Sequence, residues 1–225
     1  MKAKTIIRIT LITIFFLSSL TPGNIIKCQD KQNPLPQFLF PSFSKGIIIM
    51  KDGRKLSATL NYNIIDEEMI FQQGQQYMAL DKPEEIDTVC LQNRKFVYID
   101  KAFYEVVAEG KTDIYMQHKG KYVQEASNTA YGMKSPTNQN INLTTIKSVN
   151  QVRVLEIPEN VTVSSTTVYW IMRDGELSKF NNQNQLLKLF SGSEEKIKEF
   201  IKTNNIDIKT REGLMNLGNF LNSTL

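Results

Sequence analysis

One histidine, His118, serves the whole chain of 225 residues, which limits the chemistry at once. A Ser-His-Asp or Cys-His nucleophile system could draw only on that residue, and a metal site needing two imidazoles is excluded. His118 continues the alternation of Ile114 and Met116 and stands just before Lys119-Gly120, which predicts an exposed histidine at a strand end. Two acidic groups, Asp66-Glu67-Glu68 and Asp81 with Glu84, Glu85 and Asp87, could supply the paired carboxylates of a glycoside hydrolase. Both fall in expected loops, where solvated turn acids are the ordinary outcome. They also lack the alternating oxygen donors of a calcium loop. No Gly-rich phosphate loop and no G-x-S-x-G elbow occurs, so the sequence points to no catalytic residue, cofactor or metal.

Cys90 lies in the strand-like run 86–91 and reads as a buried thiol acting as a small hydrophobe. Phe96, Tyr98, Phe103, Tyr104, Tyr115 and Tyr122 crowd neighbouring strands. Alternation assigns half of them to the core, which is the favoured reading, leaving an exposed aromatic row as the competing use, to grip a glycan or a partner strand. Three N-x-S/T sequons begin at Asn142, Asn160 and Asn222.

The elements that would position these groups begin after a leader. Met1 to Arg8 carries Lys2, Lys4 and Arg8, and Ile9 to Leu20 is apolar apart from Thr and Ser. As a helix that stretch covers about 18 Å, short of the roughly 30 Å hydrocarbon core. Pro22-Gly23 then breaks it, the pattern of an export signal over residues 1–28. Two processing outcomes are open: cleavage after Cys28 leaving Gln29 first, which is favoured, or a lipid-anchored Cys28 with Lys27 in a poor position for a lipobox. After cleavage only Cys90 remains, so no disulfide can form within the chain. Residues 1–28 hold four of the 27 basic residues and no acid, so the remainder has 23 basic and 23 acidic residues. A neutral body argues against nucleic acid as a partner, and no further segment is long and apolar enough to be a membrane helix.

Residues 29–44, with Pro34, Pro36 and Pro41 around Phe38, Phe40 and Phe43, read as an extended lead-in whose aromatics dock on the body. A β-rich region over 45–180 follows. Asp52-Gly53 between two alternating runs predicts a hairpin with a type I′ turn. Further strands are expected over 68–72, 76–80, 86–91, 95–99, 103–108, 112–118, 152–157, 161–164 and 167–172, with a polar excursion over 122–147. Ile49–Gly53 is echoed by Ile171–Gly175, which reads as one turn solution used twice. In 181–225 the period changes. A helix is expected from Ser193, capped by that residue, and another from about Thr210, both packed on the sheet. The fold class is α+β: an antiparallel meander, curled or sandwiched, followed by two or three short C-terminal helices.

The leader ending at Gln29-Asp30, the Lys51-Asp52-Gly53 hairpin and Leu187-Lys188-Leu189-Phe190 before the helices together resemble uncharacterised exported proteins of Bacteroidetes. That resemblance spans most of the chain and implies a periplasmic or outer-membrane-associated protein, with secretion or lipid anchoring as alternatives. It also makes Thr88, in Asp87-Thr88-Val89, an O-glycosylation acceptor, although in a tripeptide expected to lie in a strand. It brings no catalytic residue. The expected function is a non-catalytic binding module for an envelope protein or glycan. The alternative is a carboxylate-dependent hydrolase acting on an envelope or dietary polymer.

Overall fold

The computed structural model describes residues 35–124, 157 and 161–224. Ten strands, each antiparallel to its neighbours, form one open sheet: β1 (Ser44–Met50), β2 (Lys55–Asn63), β3 (Glu68–Gln73), β4 (Gln76–Ala79), β5 (Ile86–Leu91), β6 (Arg94–Ile99), β7 (Ala102–Ala108), β8 (Thr112–Gln124), β9 (Val161–Arg173) and β10 (Glu176–Phe180). Their order is β10-β9-β8-β7-β6-β5-β1-β2-β3-β4. Three helices follow, α1 (Gln183–Lys188), α2 (Glu194–Thr203) and α3 (Arg211–Thr224). The sheet and terminal helices follow the sequence expectation in outline, and the described strands make a single sheet rather than two packed ones. The expected strand over 152–157 lies outside the described residues, apart from Ile157.

Two expectations about turns need correction. Only Gly53 takes a positive φ in the first hairpin (86°). Gly53 N donates to Met50 O and Met50 N to Arg54 O, so the loop has three residues, a type I turn closed by a left-handed glycine. In the echo both Asp174 (φ 53°) and Gly175 (φ 80°) are left-handed, and Arg173 pairs directly with Glu176 in a two-residue type I′ turn. The same Asp-Gly pair thus closes two different hairpins. The extra loop residue of the first one accounts for the one-residue offset of the Leu-Ser pair that follows. Residues 161–173 form one strand where two were expected, because Ser164, Ser165 and Thr166 pair in register with Lys121, Gly120 and Lys119 of an equally long β8. β8 accordingly runs on through Tyr122, where a loop was expected.

The lead-in is part of the sheet. Phe38 bridges Asn63 at the end of β2, and β1 pairs with the same strand from Ser44 onwards. Between them the chain bulges, and the Asn61 side chain fills the gap, accepting from Phe40 N and donating to Phe40 O. Phe38 and Phe40 are buried as expected.

Two apolar clusters divide the core. One joins Ile48, Leu60, Tyr62, Met69, Val89 and Phe96 beneath the lead-in. The other packs Ile114, Met116 and Ile171 against Leu186, Ile197, Leu214 and Leu217 of the helices. α3 comes down close on β7: a Cβ on Gly218 would stand 2.2 Å from that of Ala108. Ser193 does not cap α2 through its side chain; Glu194 bonds Gly192 N instead. The side-chain cap is at α1, where Asn182 accepts from Gln185 N.

Candidate functional site

The ends of β7 and β8 fork, and most of the polar chemistry gathers there. Pairing between them covers only Glu105 with Met116, Val106 with Tyr115 and Ala108 with Ile114. The turn between β2 and β3 inserts into the opening: Phe103 N donates to Glu67 O at 3.1 Å, and Gly120 N to Ile64 O at 2.6 Å. Gly120 is required by this approach, since a Cβ would stand 2.7 Å from Ile64 Cγ1. The Tyr62 hydroxyl lies 3.1 Å from both Phe103 O and His118 O and closes the fork. Burial pushes its phenol far up, helped by the nearby Glu67 charge, so it acts only as a neutral donor.

Glu105 stands at the crotch of the fork with its side chain fully excluded from solvent. Register explains its company. Glu105 faces Phe96 on β6 and Met116 on β8. Arg94 and His118, each two residues further along, are therefore its diagonal neighbours on the same face. His118 Nε2 lies 2.7 Å from Glu105 Oε2, Arg94 Nη1 donates to the same oxygen at 3.2 Å, and Arg211 Nε of α3 donates to Oε1 at 2.7 Å. Burial pushes the Glu105 carboxyl up, but the His118 bond, the Arg94 charge and Arg211 outweigh it and hold the group below its ordinary value. His118 is therefore not the exposed strand-end residue its alternation suggests; it is 7% accessible because the β2–β3 turn and Tyr62 cover that end of β8.

Glu105 was not singled out from the sequence. A signal was present: it is the one charged residue in Ala102–Ala108, an otherwise uncharged run. Both oxygens of this carboxylate are engaged by three cationic or imidazole partners within the fold, which suits a tie between strands and helix.

One acid from each group, Glu84 and Glu68, lies near the Tyr98 hydroxyl, which burial and then these two charges push up. Asp66 accepts from Asn63, and Glu67 from Gln117 and Lys119. Glu85 pairs with Lys82 at 3.3 Å, and Asp87 accepts from the Thr88 hydroxyl. Thr88 is buried at 4% in mid-strand, so any acceptor chemistry there has to precede folding. Cys90 is half-buried, and Cys28 and Gln29 lie outside the described residues. Of the aromatic group, Phe96, Phe103, Tyr104 and Tyr115 are buried. Tyr104, Tyr115 and Trp170 contact one another on the sheet face opposite Glu105. Of the sequons, Asn142 and Asn160 lie outside the described residues. Asn222 is a clamp, accepting from Thr112 N and donating to Thr112 O and Glu109 O. No group of three metal-ligating side chains occurs among the described residues, and no described helix is long and apolar enough to cross a membrane.

The open surface lies at the other end of the sheet. β2 pairs with β3 only from Thr59 onwards, so Lys55–Ala58 has β1 on one side and no strand partner on the other among the described residues. Leu56, in that stretch, is 48% exposed. It borders a groove of about 560 Å³ floored by Ile48, Ala58, Phe71 and Leu80. Ser57, Thr59, Gln72 and Gln73 supply neutral hydrogen-bonding groups, and Lys45 is the one charged residue lining it among the described residues. None of the loop acids borders it. No protein-family model, no curated protein and no solved structure matches this chain.

Proposed function

We propose that the protein is an exported cell-envelope component, periplasmic or outer-membrane-associated, that works by binding and not by catalysis. It engages an envelope protein or glycan through the open end of its sheet. The observation that carries this reading is the half of β2, Lys55–Ala58, that lacks a second strand neighbour among the described residues while presenting Leu56 beside a groove. An unpaired strand segment offers backbone donors and acceptors to an extended partner, and the adjacent pockets select its side chains. The leader-like opening, with its short apolar stretch and Pro22-Gly23 break, supports export. Hydrolysis through the loop acids is not favoured, because none of them borders the groove.

The test is affinity purification from cells under envelope-preserving conditions, run in parallel with the wild type and Leu56→Asp. A partner recovered reproducibly with the wild type and lost with the variant supports the proposal. Recovery that is identical for both, or isolation of a lone monomer in both, overturns it.

A further inference from the structure

The residues around the groove beside β2 sort by sheet face. Ile48 is opposite Leu56, Gly46 opposite Ala58 and Leu60 opposite Phe71, so the Ile48, Leu56, Ala58 and Phe71 side chains share one face. Lys45 is opposite Thr59, which puts Lys45, Lys55, Ser57 and Thr59 on the other face. The groove is lined from both faces, so it is a gap at the sheet edge, on the line β3 would take if it ran past Gln73. The hairpin fixes which backbone groups face that gap. Met50 N donates to Arg54 O, making these two residues a hydrogen-bonded pair. Alternation from there turns the N–H and C=O of Leu56 and Ala58 toward β1, and those of Lys55 and Ser57 toward the gap. Lys45 and Lys55 are exposed and have no ion-pair partner among the described residues, and no described acid lines the opening.

We propose that the gap takes an extended peptide segment of a partner protein, added antiparallel to β2, in which an apolar residue is flanked by acidic ones. The two residues opposite Lys55 and Ser57 exchange backbone hydrogen bonds with them and carry carboxylates on the lysine face. The residue between them, opposite Leu56, points to the other face and lies against Leu56, Ile48 and Phe71. One strand thereby satisfies both faces at once, its acids meeting uncompensated lysines and its apolar side chain covering a leucine that is 48% exposed. A glycan does not send alternate substituents to opposite faces of a sheet edge at strand spacing, so the two-sided lining selects peptide over sugar. This inference rests on reading the open half of β2 as the binding surface, and adds the chemistry and register of the segment that occupies it.

The test is fluorescence anisotropy of the protein as isolated with dye-labelled hexapeptides that alternate valine with glutamate, serine or lysine. The glutamate peptide is expected to bind, the serine peptide about fivefold more weakly, as for exposed charge contacts, and the lysine peptide more weakly still. Lys55→Glu, on an exposed side chain, reverses the order of the glutamate and lysine peptides. N-methylation of the glutamate amides, which face β2, abolishes binding, whereas methylation of the valine amides leaves it intact. Equal binding of the three peptides, or equal loss on methylating either set, overturns the assignment. Binding of chitotetraose in place of the peptides overturns it in favour of a glycan. If no peptide binds while Leu56→Asp still loses the envelope partner, the acidic strand is rejected and the binding surface stands. If no peptide binds and partner recovery is unchanged, both fall.

Discussion

Arg211 and Glu105 are separated by 106 residues in the chain and meet at 2.7 Å, so the first residue of the last helix is fastened to the middle of the most deeply buried strand. This bond lies where the two apolar clusters meet, with Phe96 of one and Met116 of the other flanking Glu105 on the neighbouring strands. It also explains how a carboxylate survives with no solvent access: removing a buried charge from water costs several kcal/mol, and only good geometry with several partners offsets it.

Replacing Glu105 by Gln leaves two arginines and a histidine around a neutral amide. Breaking a buried ion pair on one side costs about 3–5 kcal/mol. The midpoint of urea unfolding should drop accordingly. Arg94→Ala should cost less, about 1 kcal/mol, because its side chain is 34% exposed and water replaces the lost partner. Equal losses for the two variants would contradict the assignment of Glu105 as the hub.

The same carboxyl makes stability depend on pH. Its folded value lies below 4.5, its ordinary one. Its contribution is therefore complete above about pH 4.5 and disappears as pH falls through the folded value. Thermal melts should show the wild type losing stability on acidification below that point, with Glu105→Gln following a shallower curve. Parallel curves for the two proteins would show that other groups carry the acid sensitivity.

α3 admits no side chain at Gly218. A methyl placed there meets Ala108 Cβ at 2.2 Å, which forces the helix off β7 or moves the strand. Gly218→Ala should destabilise by about 1–3 kcal/mol despite the better helix propensity of alanine. The double variant with Ala108→Gly should recover part of that loss. Additive losses would place the strain elsewhere.

Much of this architecture could be read from residue patterns, because period-2 alternation reports which strand positions are half-buried. Leu56, Ala58, Leu60 and Tyr62 gave β2, and the two terminal apolar stripes gave α2 and α3. Alternation is blind to what lies above a face. His118 looked exposed because nothing local says that a turn 50 residues earlier covers it. Glu105 looked like any strand residue because its three partners come from β6, β8 and α3. The turn at Gly53 was misjudged for a related reason: Asp-Gly accommodates both two- and three-residue loops, and the register with β2 decides between them. The groove was not visible at all, since it exists only because β3 ends short of the start of β2.

Processing at the leader is tested by mass. The intact mass of the protein isolated from cells should equal that of residues 29–225, beginning at Gln29. An added diacylglyceryl mass on Cys28 would instead establish a lipid-anchored form, and an uncut Met1 start would remove the argument for export.

The central claim, that the open half of β2 is the working surface, is tested most directly by crosslinking in living cells. A photoreactive residue at position 56 should yield one discrete adduct on irradiation. The same residue at Lys198, on the exposed face of α2, should yield none. Adducts of equal yield at the two positions, or none at position 56, would contradict it.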